Sequence, residues 1–147
     1  MTRCGRCGRS GAVVRGTDRE VTVATVAGRV ERRPVVACPD GHGHPVDLTA
    51  AAQAACREHL PHARRRLLRR TDDCGRCGEP LTMPVRRTDR AVTVVTDQAP
   101  VTTLRFDLPT TRCTGCSAEQ VPVRSQDDLA AVVAGLFAPD AGTDPPA

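Results

Sequence analysis

The 147-residue chain contains no tryptophan, tyrosine, isoleucine, asparagine or lysine. Phe106 and Phe137 are its only aromatic residues. Aromatic side chains normally supply the largest buried areas, so the core has to be built from Val, Leu and Ala. Half-length units of that kind are marginal on burial alone. No apolar run approaches the length of a membrane span, so no membrane partner is expected. The chain opens Met1-Thr2-Arg3-Cys4, without the basic-then-apolar segment of a secretory signal. The expected location is the cytoplasm.

All 21 basic residues are arginine. The missing residue types are mostly those with AT-rich codons, while Ala, Arg, Val, Gly and Pro abound. The composition reads as that of a high-GC bacterial genome, so codon bias explains part of the arginine excess.

What the chain does have is eight cysteines. In a reducing compartment cysteines are metal ligands more often than disulfides. They fall into an internal duplication. Cys4-Gly5-Arg6-Cys7-Gly8 recurs as Cys74-Gly75-Arg76-Cys77-Gly78. Thr17-Asp18-Arg19-Glu20-Val21-Thr22-Val23 recurs as Thr88-Asp89-Arg90-Ala91-Val92-Thr93-Val94. The offset is 70 residues at the cysteines and 71 at the strand. A later cysteine follows in each half, Cys38 and Cys113.

Val- and Thr-rich stretches predict strands near 12–15, 20–26 and 30–37, and near 82–87, 91–96 and 101–108. Thr102, Leu104, Phe106 and Leu108 alternate onto one face. Ala27-Gly28 reads as one hairpin turn and Asp97 to Pro100 as its counterpart. A helix is expected from Thr49 to about Leu60. Another, with Ser125 as its N-cap, carries Leu129, Val132, Val133, Leu136 and Phe137 at helical spacing and ends before Pro139.

Cys74-x-x-Cys77 with Cys113-x-x-Cys116 is a strong metal signal. Each two-residue spacing lets one tight turn aim both thiolates at a common point. Two such turns supply the four-thiolate set that zinc prefers, with no open position. The first half is less regular. Cys4, Cys7 and Cys38 match their counterparts, but Gly41 stands where Cys116 recurs, and His42 follows it. A three-cysteine, one-histidine zinc site using His42 is the expected set, with His44 and Cys56 as rivals for the fourth position. Cys56 reads otherwise as a small buried apolar residue, and His59 and His62 as solvated helix-end residues. Rubredoxin-like iron would fit the ligands, but that fold leans on aromatics absent here. Two zinc ions are thus the expected cofactors.

The tandem resembles the zinc-ribbon class. Its second unit is similar to the YgiT/MqsA-type zinc-ribbon through Cys74, Cys77, the Val-rich strands, Leu108-Pro109 ahead of Cys113 and Cys116, and Glu119 before a helix. That family has Cys-Gly-Glu after its second knuckle, whereas here Cys116 is followed by Ser117-Ala118-Glu119. The resemblance implies metal ligation by the matched cysteines. The family's helix-turn-helix is expected to be missing, since the chain ends at Ala147, so an antitoxin or repressor role is not implied.

Residues 1–70 hold 14 arginines against six acids, and residues 71–147 seven against eleven. The bias peaks at Arg64-Arg65-Arg66-Leu67-Leu68-Arg69-Arg70. On a helix, Arg65, Arg66, Arg69 and Arg70 share a face opposite Leu60, Leu67 and Leu68. Such a face can contact phosphates or an acidic protein, or simply be solvated. Bulk charge argues little: seven thiolates and two zinc ions take the formal +4 to +1.

The expected architecture is a small zinc-stabilised α+β protein of two tandem zinc-ribbon units. They span 1–60 and 74–137, with an Arg-rich linker helix over 61–73 and a disordered tail over 138–147. The expected function is a non-enzymatic adaptor that binds a protein partner. One alternative is a nucleic-acid-binding regulator using Arg64, Arg65, Arg66, Arg69 and Arg70. Another is a zinc-thiolate redox sensor. No Ser-His-Asp pattern, phosphate loop or open metal site accompanies the four histidines, so an enzyme is not expected.

Overall fold

The structure is a computed structural model that describes residues 2–4, 7–39, 41, 43–65, 71–82 and 85–139. The first half contains β1 (Thr2–Arg3), β2 (Ser10–Arg15), β3 (Arg19–Val23), β4 (Val26–Val30), β5 (Pro34–Ala37), β6 (Gly43–Pro45) and α1 (Thr49–His59). After it come β7 (Arg64–Arg65), β8 (Asp72–Asp73), β9 (Arg86–Val94), β10 (Thr102–Arg112), β11 (Glu119–Gln120) and α2 (Val123–Leu136). The fold is α+β, with mostly antiparallel sheets, two helices among the described residues, and two cysteine clusters.

The two halves do not fold side by side as separate modules. Hairpin β3–β4 and hairpin β9–β10 join edge to edge through an antiparallel ladder between β4 and β10. Val21 pairs with Gly28 and Arg19 with Val30; their repeats, Val92 and Arg90, pair with Leu104 and Phe106. Leu104 then lies opposite Val30, and Phe106 opposite Gly28. Each contact therefore maps onto its own partner when the halves are exchanged. A local two-fold axis passes between Arg29 and Arg105.

The helices cross over this axis. α2 packs on β3 and β4 of the first half, while α1 packs on β9 of the second and on α2. Alternation buries one sheet face under them: Val26, Val30, Val92, Val94, Leu104, Phe106 and Leu108 are at most 1% exposed. α2 contributes Leu129, Val132, Val133 and Leu136, and Phe137 closes the same core. At about 25 cal/mol per Å² of apolar area removed from water, this core stabilises both halves together, since each supplies part of it.

Arginines of the first half close the end of α2. The Arg19 Nε donates to the Gly135 carbonyl at 3.0 Å. Arg33, only 4% exposed, donates to the carbonyls of Leu136 and Ala138 at 3.3 and 2.9 Å. Cations suit a helix C-terminus, where carbonyls lack intrahelical partners. Two arginines of the first half thus help to dock it on the helix of the second.

Several sequence expectations need correction. The first hairpin turns at Ala24-Thr25, with Ala24 at φ 51°, and not at Ala27-Gly28, which lie within β4. The stretches near 20–26 and 30–37 resolve into β3, β4 and β5, and β9 begins only at Arg86. α2 starts at Val123, ahead of Ser125, because Asp72 Oδ2 accepts the Val123 N–H at 2.9 Å. α1 likewise has its first N–H tended by an upstream acid: the Thr49 N–H donates to Asp47 Oδ1 at 3.0 Å. The Thr49 hydroxyl, and after it this N–H bond, lowers the Asp47 pKa from its ordinary value.

The stretch expected as a linker helix over 61–73 is extended where it is described. Arg64 pairs with Asp73 and Arg65 with Asp72. Upstream, the Ala63 N–H donates to the Val121 carbonyl and the Val121 N–H to the Pro61 carbonyl, at 3.0 and 2.8 Å. Long-range backbone bonding outweighs the local amphipathic pattern here. Residues 66–70, with Arg66, Arg69 and Arg70, and residues 140–147 of the expected tail lie outside the described residues.

Candidate metal centres

The sulfurs of Cys74, Cys77, Cys113 and Cys116 all lie within 4.8 Å of one another. Two facing turns bring them there. The Cys74 N–H donates to the Glu79 carbonyl and the Gly78 N–H to the Cys74 carbonyl, at 2.7 and 3.0 Å. The Cys113 N–H donates to Ala118 and the Ser117 N–H to Cys113, both at 2.9 Å. The first half repeats the pattern, Cys4 to Arg9 and Gly8 to Cys4, at 2.7 and 2.8 Å. The residue after the second cysteine of each turn is left-handed: Gly8 at φ 73°, Gly78 at 81° and Ser117 at 61°. Glycine takes that conformation without steric cost.

The second cluster fits zinc. Tetrahedral bonds of zinc to sulfur place the sulfurs about 3.8 Å apart. Cys74 and Cys116 are 3.6 Å apart, and Cys77 and Cys113 3.5 Å. Without a metal, four thiols so crowded do not ionise together. Burial opposes ionisation of Cys74, yet N–H bonds from Cys77 and Arg76 prevail and bring its pKa to about 6. Those two N–H groups reach its sulfur at 3.4 and 3.3 Å. For Cys77 the Glu79 N–H favours the thiolate, but burial and the neighbouring sulfurs push the thiol up to about 12. A divalent cation removes that conflict and holds all four as thiolates.

Gln120, 1% exposed, is the residue that cysteine spacing does not reveal. Its Nε2 donates to the Cys74 sulfur at 3.0 Å, and its Oε1 accepts the Gly75 N–H at 2.7 Å. It thus fixes both the thiolate and the turn that carries it. Gly75 has a further constraint, since a Cβ there would run into the His62 carbonyl. The linker residues are therefore built against the second centre. His62 stands in this extended segment with its Nδ1 2.7 Å from the Leu60 carbonyl, and so is not a helix-end residue, whereas His59 ends α1 and is exposed.

In the first half the structure gathers Cys4, Cys7 and Cys38, again within 4.8 Å. The Cys7 and Cys38 sulfurs are 3.0 Å apart. After Cys38 the chain turns at Gly41, φ 82°, whose N–H donates to the Cys38 carbonyl at 2.9 Å. His42 lies outside the described residues. His44 stands in β6 opposite Val36 and does not join the three sulfurs. Cys56 sits on α1 in the apolar core, 3% exposed and apart from both clusters; burial pushes its thiol up to about 12.

Exposure differs around the clusters. Cys4, Cys38, Cys74 and Cys113 are buried, Cys7 and Cys116 half-buried, and Cys77 exposed. Arg64 and Arg65 are exposed beside the second centre. Among the described residues no helix is long and apolar enough to cross a membrane. Compared with protein-family models, with curated proteins and with solved structures, the chain finds no match.

Proposed function

We propose that this protein is a non-catalytic, zinc-stabilised binding module of the bacterial cytoplasm. It holds two zinc ions in tandem ribbon-like halves and engages a protein partner. The observation that carries the reading is the second sulfur cluster. Four cysteines at near-tetrahedral spacing complete a zinc shell and leave no position for a substrate. In the first centre Cys4, Cys7 and Cys38 bind with His42 as fourth ligand; the turn at Gly41 directly before it supports this. The four-sulfur centre then acts as a clamp on the sheet and not as a reaction centre.

A second reading rests on the exposure of Arg64 and Arg65. Together with Arg66, Arg69 and Arg70 they would form a phosphate-contacting stripe for nucleic acid.

Two measurements test these readings. Metal analysis of the purified chain is expected to give two zinc ions per molecule, one of them lost in His42→Ala and retained in His44→Ala and Cys56→Ala. Affinity capture from a native lysate, with and without nuclease, separates the partners. A protein that survives nuclease supports the adaptor, and species that vanish with nuclease support the arginine stripe.

A further inference from the structure

We propose that the cleft between the end of α1 and the Cys113–Cys116 turn binds a phosphate group, through Arg76, Arg90, His59 and Ser117. The cleft has a volume of about 310 Å³. This site goes beyond the partner binding proposed above and uses none of the metal ligands.

The internal repeat shows that the cleft is a departure. Arg90 is the repeat of Arg19 and holds the same place in its ladder, opposite Phe106 as Arg19 is opposite Val30. Arg19 closes the end of the helix above it, at the Gly135 carbonyl. In the second half the helix above is α1, and its end is closed from within the chain, at the Leu60 carbonyl, by His62. Arg90 is released from that task and pairs with Glu119. The space beside it is the cleft, lined also by His59, Arg76, Thr110 and Ser117, with the Arg90-paired Glu119 as its one acid among the described residues.

Arg90 is preorganised. The Glu119 carboxylate that holds it also accepts the hydroxyls of Thr110 and Thr88, at 2.7 and 3.1 Å. Side chains locked by such supporting bonds bind with less ordering cost. Because Arg90 already neutralises Glu119, the charge of Arg76 is uncompensated; it makes no ion pair among the described residues. His59 adds an imidazole donor to the same cleft.

Ser117 is the second departure. Its left-handed φ of 61° is held by glycine in the turns at Gly8 and Gly78. A non-glycine residue there costs about 1 kcal/mol, yet here a hydroxyl is kept on the wall of the cleft. Arg76, with Arg90 held by Glu119, His59 and the Ser117 hydroxyl all lining one cleft, offers several donors to the oxygens of a phosphate group.

The test is a titration of the zinc-loaded full chain with inorganic phosphate at constant ionic strength, followed by amide and arginine Nε–H resonances. Saturable shifts at Ser117 and Arg90 are expected. Arg76→Gln should weaken binding about tenfold, as for one charged hydrogen-bonding partner lost, and Arg3→Gln, in β1 and outside the lining of the cleft, should leave it unchanged. Ser117→Gly restores the residue of the sister turns and so should fold normally while binding more weakly. Shifts that never saturate, an Arg76→Gln protein that binds like the parent, or acetate binding as tightly as phosphate would each overturn the proposal.

Discussion

Phe106 lies directly across the ladder from Gly28, and its ring takes the space that a side chain at position 28 would need. A Cβ there would come within 3.1 Å of the ring and would collide with Val132. Three elements from both halves, β4, β10 and α2, meet at this one missing side chain. Gly28→Ala is therefore expected to destabilise the zinc-loaded protein by about 1–3 kcal/mol through overpacking. Urea unfolding measures it, and unchanged stability would show that the halves do not meet as described.

Metal removal should dissolve more than the turns. β10 runs from the central sheet at Thr102 to Arg112, next to Cys113. A structural zinc contributes about 10 kcal/mol in peptide systems, comparable to the whole stability of a small domain. Chelation is expected to abolish the strand signal in circular dichroism. Cys113→Ser, at the second centre, should also loosen the first half, seen as faster amide exchange in β4. A β4 that exchanges at the parental rate in that variant would argue for independent halves.

Arg33→Met keeps most of the side-chain bulk but removes the donors that reach Leu136 and Ala138. Both carbonyls then lose a charged partner in a site that is 4% exposed at Arg33. A loss of about 2 kcal/mol is expected, read as a lower thermal midpoint with zinc content intact.

Gln120→Leu should leave four cysteines in place but withdraw the N–H from the Cys74 sulfur and the acceptor from Gly75. Outer-shell partners of metal ligands are worth about 10- to 100-fold in affinity. Competition with a chromophoric chelator is the assay. Release of one zinc, and not both, should accelerate.

Cys56 sets a pH dependence at the alkaline end. Burial raises its thiol from 9.0 to about 12, so the folded state favours the neutral form. The stability this reflects is complete below pH 9 and declines as pH rises toward 12. Cys56→Ala should flatten that alkaline limb in urea titrations. In the parent, thiol labelling of Cys56 should occur only on unfolding.

Much of this fold was legible in the sequence wherever the signal was local. The cysteine turns announce themselves because two-residue spacing and left-handed glycines are short-range requirements. The alternation of Thr102, Leu104, Phe106 and Leu108 placed one face of β10 correctly, and all four are buried. The loop at Asp97 to Pro100 does separate β9 from β10. Residues whose reason lies far off in the chain were misread. Gly28 looked like a turn glycine, yet it is small because Phe106, 78 positions away, covers it. Ser125 looked like a cap because the true acceptor, Asp72, comes from beyond any local window. The segment from Pro61 to Arg65 lies between Leu60 and Leu67, whose spacing suggests a helix, but it is held extended by Val121 and by Asp72-Asp73. Gln120 had no signal at all, since its role depends on a sulfur 46 residues earlier.

The crossed helices carry a consequence for how such a chain can change. Two identical polypeptides arranged this way would be bound to mirror every alteration, because one gene would write both copies of each contact. Joining the copies in one reading frame lifts that obligation. One arginine can go on sealing a helix while its sibling turns elsewhere, and a serine can replace a glycine in one turn without straining the others. The tether thus converts a symmetrical object into one whose two ends are free to specialise separately.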